Sequence, residues 1–217
     1  MAAKVHDFLM NRAVTIIDYG MGNLGSVRNA LSYLGASVVI SGDPAIVVSS
    51  ETLLLPGVGS FRTGMEELRK RGLDRAIQEA VLERETNILG ICLGMHLLGS
   101  QGIEDGNTEG LGLIPVCVDG FTESDVGSRK VPHVGFNLVT HEAGSRLFDG
   151  LPDATDFYFV HSFRMLPPLN LPGLVAKCSY GIEFMAAYEH KNVFATQFHP
   201  EKSQTSGLWL LRNFLMQ

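Results

Sequence analysis

The sequence predicts an α/β fold, with a mostly parallel central sheet flanked by helices and a small antiparallel flap. Three observations carry this. Over the first half, strand-like apolar runs alternate with helix-like ones, the mark of βαβ units and a parallel sheet. The strand-like runs lead into glycine-rich turns, as close strand-to-helix crossings require. Beyond residue 112 the pattern changes to short β-like runs punctuated by glycine, proline and asparagine.

Residues 1–12 are short and mixed and read as an N-terminal extension; residues 13–217 read as one domain. Residues 13–18 form the first strand and stop at Gly20-Met21-Gly22-Asn23-Leu24-Gly25. A helix follows with Leu24, Val27, Leu31 and Leu34 on one face and Gly35 just past its end, and residues 38–40 make the second strand. Gly20-x-Gly22-x-x-Gly25 matches the dinucleotide-binding fingerprint, with Asp43 near the place of a ribose-binding acid. Asp43 falls beyond Gly42, past the strand end, so a plain glycine turn is the preferred reading. Residues 52–55 form the third strand. It runs into Pro56-Gly57-Val58-Gly59-Ser60-Phe61, whose bare amides at a sheet edge suit an anion or an oxyanion. Residues 65–71 and 73–85 read as amphipathic helices.

Residues 87–98 then read as a strand that turns sharply into a helix, with Cys92 at the apex between Gly90 and Gly94. A nucleophile on such an elbow sits on strained backbone, and amides at the helix start favour an anion there. Residues 99–112 are rich in glycine and acid (Glu104, Asp105, Glu109). Runs at 113–118, 131–140, 156–160, 174–178, 183–188 and 193–197 are β-like, and Ser203 is placed to cap a closing helix through Leu208, Leu211, Phe214 and Leu215.

Composition narrows the function. Hydrophobic residues make up 45% of the chain, enough for a core, and charged residues only 18%. Net charge is −6 and the longest basic run is Arg69-Lys70-Arg71, which argues against nucleic acid. Cys92, Cys117 and Cys178 are odd in number and widely spaced, which argues against a CxxC metal site or a disulfide framework and for a reducing, cytoplasmic setting. No apolar run reaches the roughly 18 residues that span a bilayer. Neither a metal nor a cofactor is expected.

The second chemically loaded stretch is His199-Pro200-Glu201, between a strand-like run and the last helix. If His199 to Glu201 is extended, as proline favours for its predecessor, the two side chains face the same way. Glu201 then orients one ring nitrogen and leaves the other for a thiol, a nucleophile–base–orienter set of Cys92, His199 and Glu201. Strand ends gather on one edge of such a sheet, so the Gly57 loop joins them.

Gly90-Ile91-Cys92-Leu93-Gly94 together with His199-Pro200-Glu201 resembles the class I glutamine amidotransferase domain, a flavodoxin-like α/β fold. Residues 17–24 (IDYGMGNL), 132–137 (PHVGFN) and 158–162 (YFVHS) narrow the resemblance to the glutaminase subunits of imidazole glycerol-phosphate synthases. The resemblance implies that Cys92 attacks the side-chain amide of L-glutamine, that His199 moves the proton, and that Glu201 steadies the imidazolium. It implies an oxyanion hole from the Gly57, Val58 and Leu93 amides. Substrate contacts would come from His96, Glu104, and the backbone near His161 and Ser162. Ammonia would pass to a (β/α)8-barrel cyclase subunit in histidine biosynthesis, with Asn23, Phe136, Tyr158 and Lys202 near the interface.

Three positions depart from that pattern. His96 stands where glutamine is usual, which would lend substrate affinity a pH dependence near neutrality. Val134 and Phe136 stand for methionine and tryptophan at the partner-facing segment. These leave open a divergent paralogue that supplies ammonia to another synthase, such as a sugar-amidating enzyme, or a catalytically silent regulatory subunit.

Overall fold

The computed structural model describes residues 12–217; the extension expected over residues 1–12 lies outside the described residues except for Arg12. The first half runs β1 (Ala13–Ile17), α1 (Leu24–Tyr33), β2 (Ser37–Ser41), α2 (Pro44–Ser49), β3 (Thr52–Gly57), α3 (Phe61–Lys70), α4 (Leu73–Gln78), β4 (Asn87–Cys92) and α5 (Leu93–Leu98). The second half runs β5 (Gly99–Gly102), β6 (Thr108–Glu109), β7 (Ile114–Gly120), α6 (Glu123–Val126), β8 (His133–Thr140), β9 (Ala154–His161), β10 (Phe163–Met165), β11 (Leu174–Tyr180), β12 (Ile182–His190), β13 (Val193–Thr196) and α7 (Gln204–Leu215).

Nine strands form the main sheet in the order β2-β1-β3-β4-β13-β12-β11-β8-β9. From β2 to β13 the pairings are parallel; from β13 to β9 they are antiparallel. The predicted parallel core is therefore present, and the later runs continue the same sheet. A second sheet, β10-β7-β5-β6, supplies the flap and contains one parallel pair, β5 with β7. Helices cover both faces of the parallel part, which is why β3 and β4 are apolar almost end to end. On one face a phenylalanine-rich cluster (Phe157, Phe159, Phe184, Phe194, Phe198, Phe214) packs with Val27 and Leu31 of α1 and Leu210 and Leu211 of α7. On the other, Phe61, Leu68, Leu73, Ile77 and Leu97 pack α3, α4 and α5 against the sheet.

Several local expectations are corrected. Asp43, considered as a ribose ligand, accepts from Ala45 N at 2.9 Å and caps α2, a helix that the sequence reading missed. Residues 73–85 are not one helix: α4 passes into a π-helical turn, Glu79–Glu83. Residues 99–112, where no strand is expected, hold β5 and β6; glycines there let the backbone pass within a side chain's width of Phe61. Ser203 stands at the N-cap position of α7 but makes no capping hydrogen bond. Its hydroxyl is taken by other groups, described below.

Candidate active site

β4 ends on Cys92, whose backbone lies at φ 53°, ψ −109°. A positive φ at a residue with a Cβ costs on the order of 1–3 kcal/mol and persists only where the surroundings enforce it. Here they do. A Cβ on Gly90 would sit 2.9 Å from the Gly94 carbonyl, and one on Gly94 would sit 1.7 Å from the Leu55 oxygen. Strand and helix are thus in backbone contact around the cysteine.

Parallel register brings the other loops to the same edge. Gly57 is the Cα partner of Cys92 across β3 and β4. Thr196 follows Ala195 along β4 as the partner of Ile91, so Gln197, Phe198 and His199 leave β13 beside the cysteine. His199 is held from three sides. Its N–H donates to Tyr158 O at 2.9 Å, its carbonyl accepts from Ser203 Oγ at 2.7 Å, and Nδ1 donates to Glu201 Oε1 at 2.8 Å. Ser203 Oγ also accepts from Tyr158 N at 3.0 Å, which explains why it does not cap its helix. The His199–Glu201 pair forms as expected but not through extended chain: Pro200–Lys202 is a 3-10 turn, and its tight curl brings the carboxylate back to the ring.

The side chains of His199 and Glu201 are 4% and 2% exposed. Nε2 of His199 is buried, and its one neighbour among the described residues able to take its proton is the Cys92 sulfur. Burial works against the imidazolium, but the Cys92 sulfur and the Glu201 carboxylate outweigh it and raise the His199 pKa to about 9. Cys92 Sγ also lies 3.9 Å from the Val160 carbonyl and 3.9 Å from Gln197 Nε2.

Cys92 opens on a cavity of about 300 Å³ whose wall includes Val58, Leu93, His96, Glu104, His161 and Ser162. All of these were singled out from sequence. Gly57 is buried behind them: a Cβ there would meet the Tyr19 hydroxyl at 2.1 Å, and that hydroxyl is itself buried without a hydrogen-bond partner among the described residues. Hollows of about 340 and 470 Å³ elsewhere carry neither a cysteine nor a strained residue, so the chemistry and not the size picks the site. Glu104 Oε2 accepts from Phe61 N at 2.8 Å, at the start of α3, and burial raises its pKa.

His96 differs from expectation. Burial lowers its pKa to about 4, against a smaller opposing pull from Gln197, so it is neutral throughout the physiological range and does not titrate near neutrality. Its Nε2 lies 2.6 Å from Gln197 Oε1. Sequence reasoning also missed His133. Its Nδ1 lies 2.9 Å from His161 Nε2, its Nε2 contacts Asn137, and His161 Nδ1 donates to Phe163 O at 2.7 Å. Burial holds both imidazoles neutral.

The residues expected near a partner fall into two places. Phe136 and Tyr158 are cross-strand partners on β8 and β9 with rings 5.5 Å apart, and Lys202 Nζ lies 5.8 Å above the Tyr158 ring. Phe136 is 47% exposed, and Val134 and Leu138, two residues to either side, are also exposed, so β8 presents an apolar stripe. Asn23 caps α1 through Ser26 N, and α1 packs on the Pro200–Lys202 turn. Among the described residues no three His, Cys, Asp or Glu side chains are grouped to hold a metal, and no helix is long and apolar enough to cross a membrane.

Comparison with known proteins adds the following. The pattern of the family "Glutamine amidotransferase class-I" matches residues 15–217. The "Imidazole glycerol phosphate synthase subunit HisH" of Moorella thermoacetica is 44% identical over 203 residues, covering 94% of either chain. The subunit of the same description from Yersinia pseudotuberculosis serotype I is 43% identical over 202 residues, 93% of this chain and 98% of that one. Among solved structures, a glutamine amidotransferase superposes with a TM-score of 0.71 at 19% identity, covering 94% of this chain and 97% of that one. PurLQS from Thermotoga maritima superposes with a TM-score of 0.72 at 17% identity, covering 95% and 99%. At those identities the superpositions speak for the fold.

Proposed function

The chain belongs to the class I glutamine amidotransferase family and, within it, to the imidazole glycerol phosphate synthase HisH subunits, and on that premise we propose that Cys92, His199 and Glu201 are its glutaminase triad. The substrate is L-glutamine and the partner a (β/α)8-barrel cyclase subunit of the histidine pathway. One observation carries the reading: a strained, cavity-facing cysteine acts electrostatically on a buried imidazole whose far nitrogen is fixed by a carboxylate at 2.8 Å.

Glutamine enters the cavity with its side-chain amide at Cys92 and its α-groups toward Glu104 and the His161–Ser162 backbone. Sγ bonds to the amide carbon and its proton resides on His199 Nε2. The amide oxygen takes the negative charge of the tetrahedral intermediate, and the Gly57, Val58 and Leu93 amides bind it. His199 returns the proton to nitrogen as the C–N bond breaks, which releases ammonia and leaves a glutamyl thioester. Water then attacks the thioester carbon with His199 as base, and glutamate leaves with the thiol restored. Glu201 keeps the ring in register and offsets its charge throughout. Ammonia passes to the cyclase, docked over the Phe136 and Tyr158 face.

The test is Cys92→Ala in complex with the cyclase. Glutamine hydrolysis disappears while partner binding and Tm stay at wild-type values. An alanine variant that hydrolyses glutamine at the normal rate overturns the assignment.

A further inference from the structure

Gln197 belongs to no part of the triad, the oxyanion loop or the substrate contacts above, yet it touches the nucleophile. It is fully buried, and its N–H donates to Ala186 O at 2.8 Å, which fixes the main chain against β12. From there its carboxamide spans two groups. Oε1 faces His96 Nε2 at 2.6 Å, and Nε2 faces Cys92 Sγ at 3.9 Å.

The orientation of that amide sets the tautomer of its neighbour. His96 is neutral, so one ring nitrogen carries a proton and the other does not. An amide oxygen only accepts, so the short contact assigns the proton to His96 Nε2. With Oε1 accepting there, the amide's N–H groups lie on the sulfur side. We propose that Gln197, anchored by His96, is a positioning residue that directs an N–H at the Cys92 sulfur and steadies the anion from which attack begins. This rests on the glutaminase reading above and adds to it.

Physical chemistry sets the size. An N–H···S contact at 3.9 Å is weak to a neutral thiol. To a sulfur bearing negative charge in a buried site it becomes a charge-assisted bond, roughly twice as strong as a neutral one. Its loss slows reactions of Cys92 without removing any group that binds glutamine, so it shows in kcat and not in KM. It also gives His96 a role that needs no titration: the ring acts as a clamp on the amide.

The experiment uses Gln197→Met, His96→Leu and His96→Gln. In complex with the cyclase, Gln197→Met lowers kcat for glutamine hydrolysis about tenfold and leaves KM within about twofold. In the free chain, alkylation of Cys92 by iodoacetamide at fixed pH falls in parallel. His96→Leu slows alkylation in the same direction, and His96→Gln, whose amide can still donate to Gln197 Oε1, recovers most of that loss. A Gln197→Met chain with wild-type kcat and alkylation rate overturns the proposal, as does one with a lower Tm and unchanged rates. If Gln197→Met does not fold, equal alkylation by His96→Leu and His96→Gln overturns it alone. A wild-type complex that hydrolyses no glutamine would instead defeat the glutaminase reading, and the alkylation series would still decide this one.

Discussion

Alanine in place of Gly94 separates two effects of opposite sign. In a helix, alanine is favoured over glycine by about 1 kcal/mol. At this place, the new Cβ would stand 1.7 Å from the Leu55 oxygen and 2.8 Å from its carbon. The obstacle is main chain in the middle of β3, not a side chain that can swing away. Restoring ordinary contact needs α5 to retreat by roughly 1.5 Å, and overpacking of a close-packed core costs about 1–3 kcal/mol or more. The clash wins, with a net loss of about 2 kcal/mol, which for a chain of this size lowers Tm by roughly 4–8 °C. Differential scanning calorimetry of the free chain reads this directly. The same retreat moves Cys92 and Leu93 relative to Gly57, and a misplacement of about 1 Å can cost on the order of 10²-fold in rate. Glutamine turnover in the complex should therefore drop by more than the stability does. A Gly94→Ala chain with Tm within 2 °C of wild type and full turnover would show that strand and helix are not in backbone contact here.

Three other outcomes follow from the same structure. A histidine whose pKa rises from 6.5 to about 9 contributes stability below pH 6.5 that is lost as pH climbs through 9, so Tm falls across that window. Glu201→Gln should flatten the fall and lower kcat by on the order of 10²-fold or more, and parallel slopes in the two chains would refute the coupling. Tyr19→Phe removes a buried hydroxyl that has no partner among the described residues, which relieves about 1–3 kcal/mol, so Tm should rise; a fall of more than 2 °C would mean the hydroxyl is bonded. Phe136→Ala should weaken cyclase binding about tenfold by calorimetry without moving the free chain's Tm, and unchanged affinity would place the docking face elsewhere.

What could be read from sequence was local. The Gly90–Cys92–Gly94 elbow is legible because backbone crowding at a strand-to-helix turn demands glycines at fixed short spacing. The β1–α1–β2 unit is legible because Val27 and Leu31 mark one buried face. α2 was legible in principle: Asp43-Pro44 is an N-cap followed by proline at the first helical position. Strands β5 and β6 were not: β5 is Gly-Ser-Gln-Gly and β6 only Thr-Glu, so neither carries an alternation of apolar side chains. Ser203 was misread because a hydroxyl's partner is chosen by tertiary structure, and His199 and Tyr158 claim it. His96 was misjudged because its pKa depends on burial, which spacing does not reveal. Gln197 was overlooked because both its partners lie about a hundred positions away.

Tyr158 is gripped at both ends of its peptide unit: its N–H by Ser203 Oγ, its carbonyl by His199 N. Its ring meanwhile lies on the outer surface against Phe136 and under Lys202. Ser203 in turn grips the carbonyl of His199. These links form a closed loop with no free pivot, so β9 cannot slide along its axis and leave the imidazole behind. A protein pressing on that outer ring therefore acts on His199 and its buried imidazole, one residue removed.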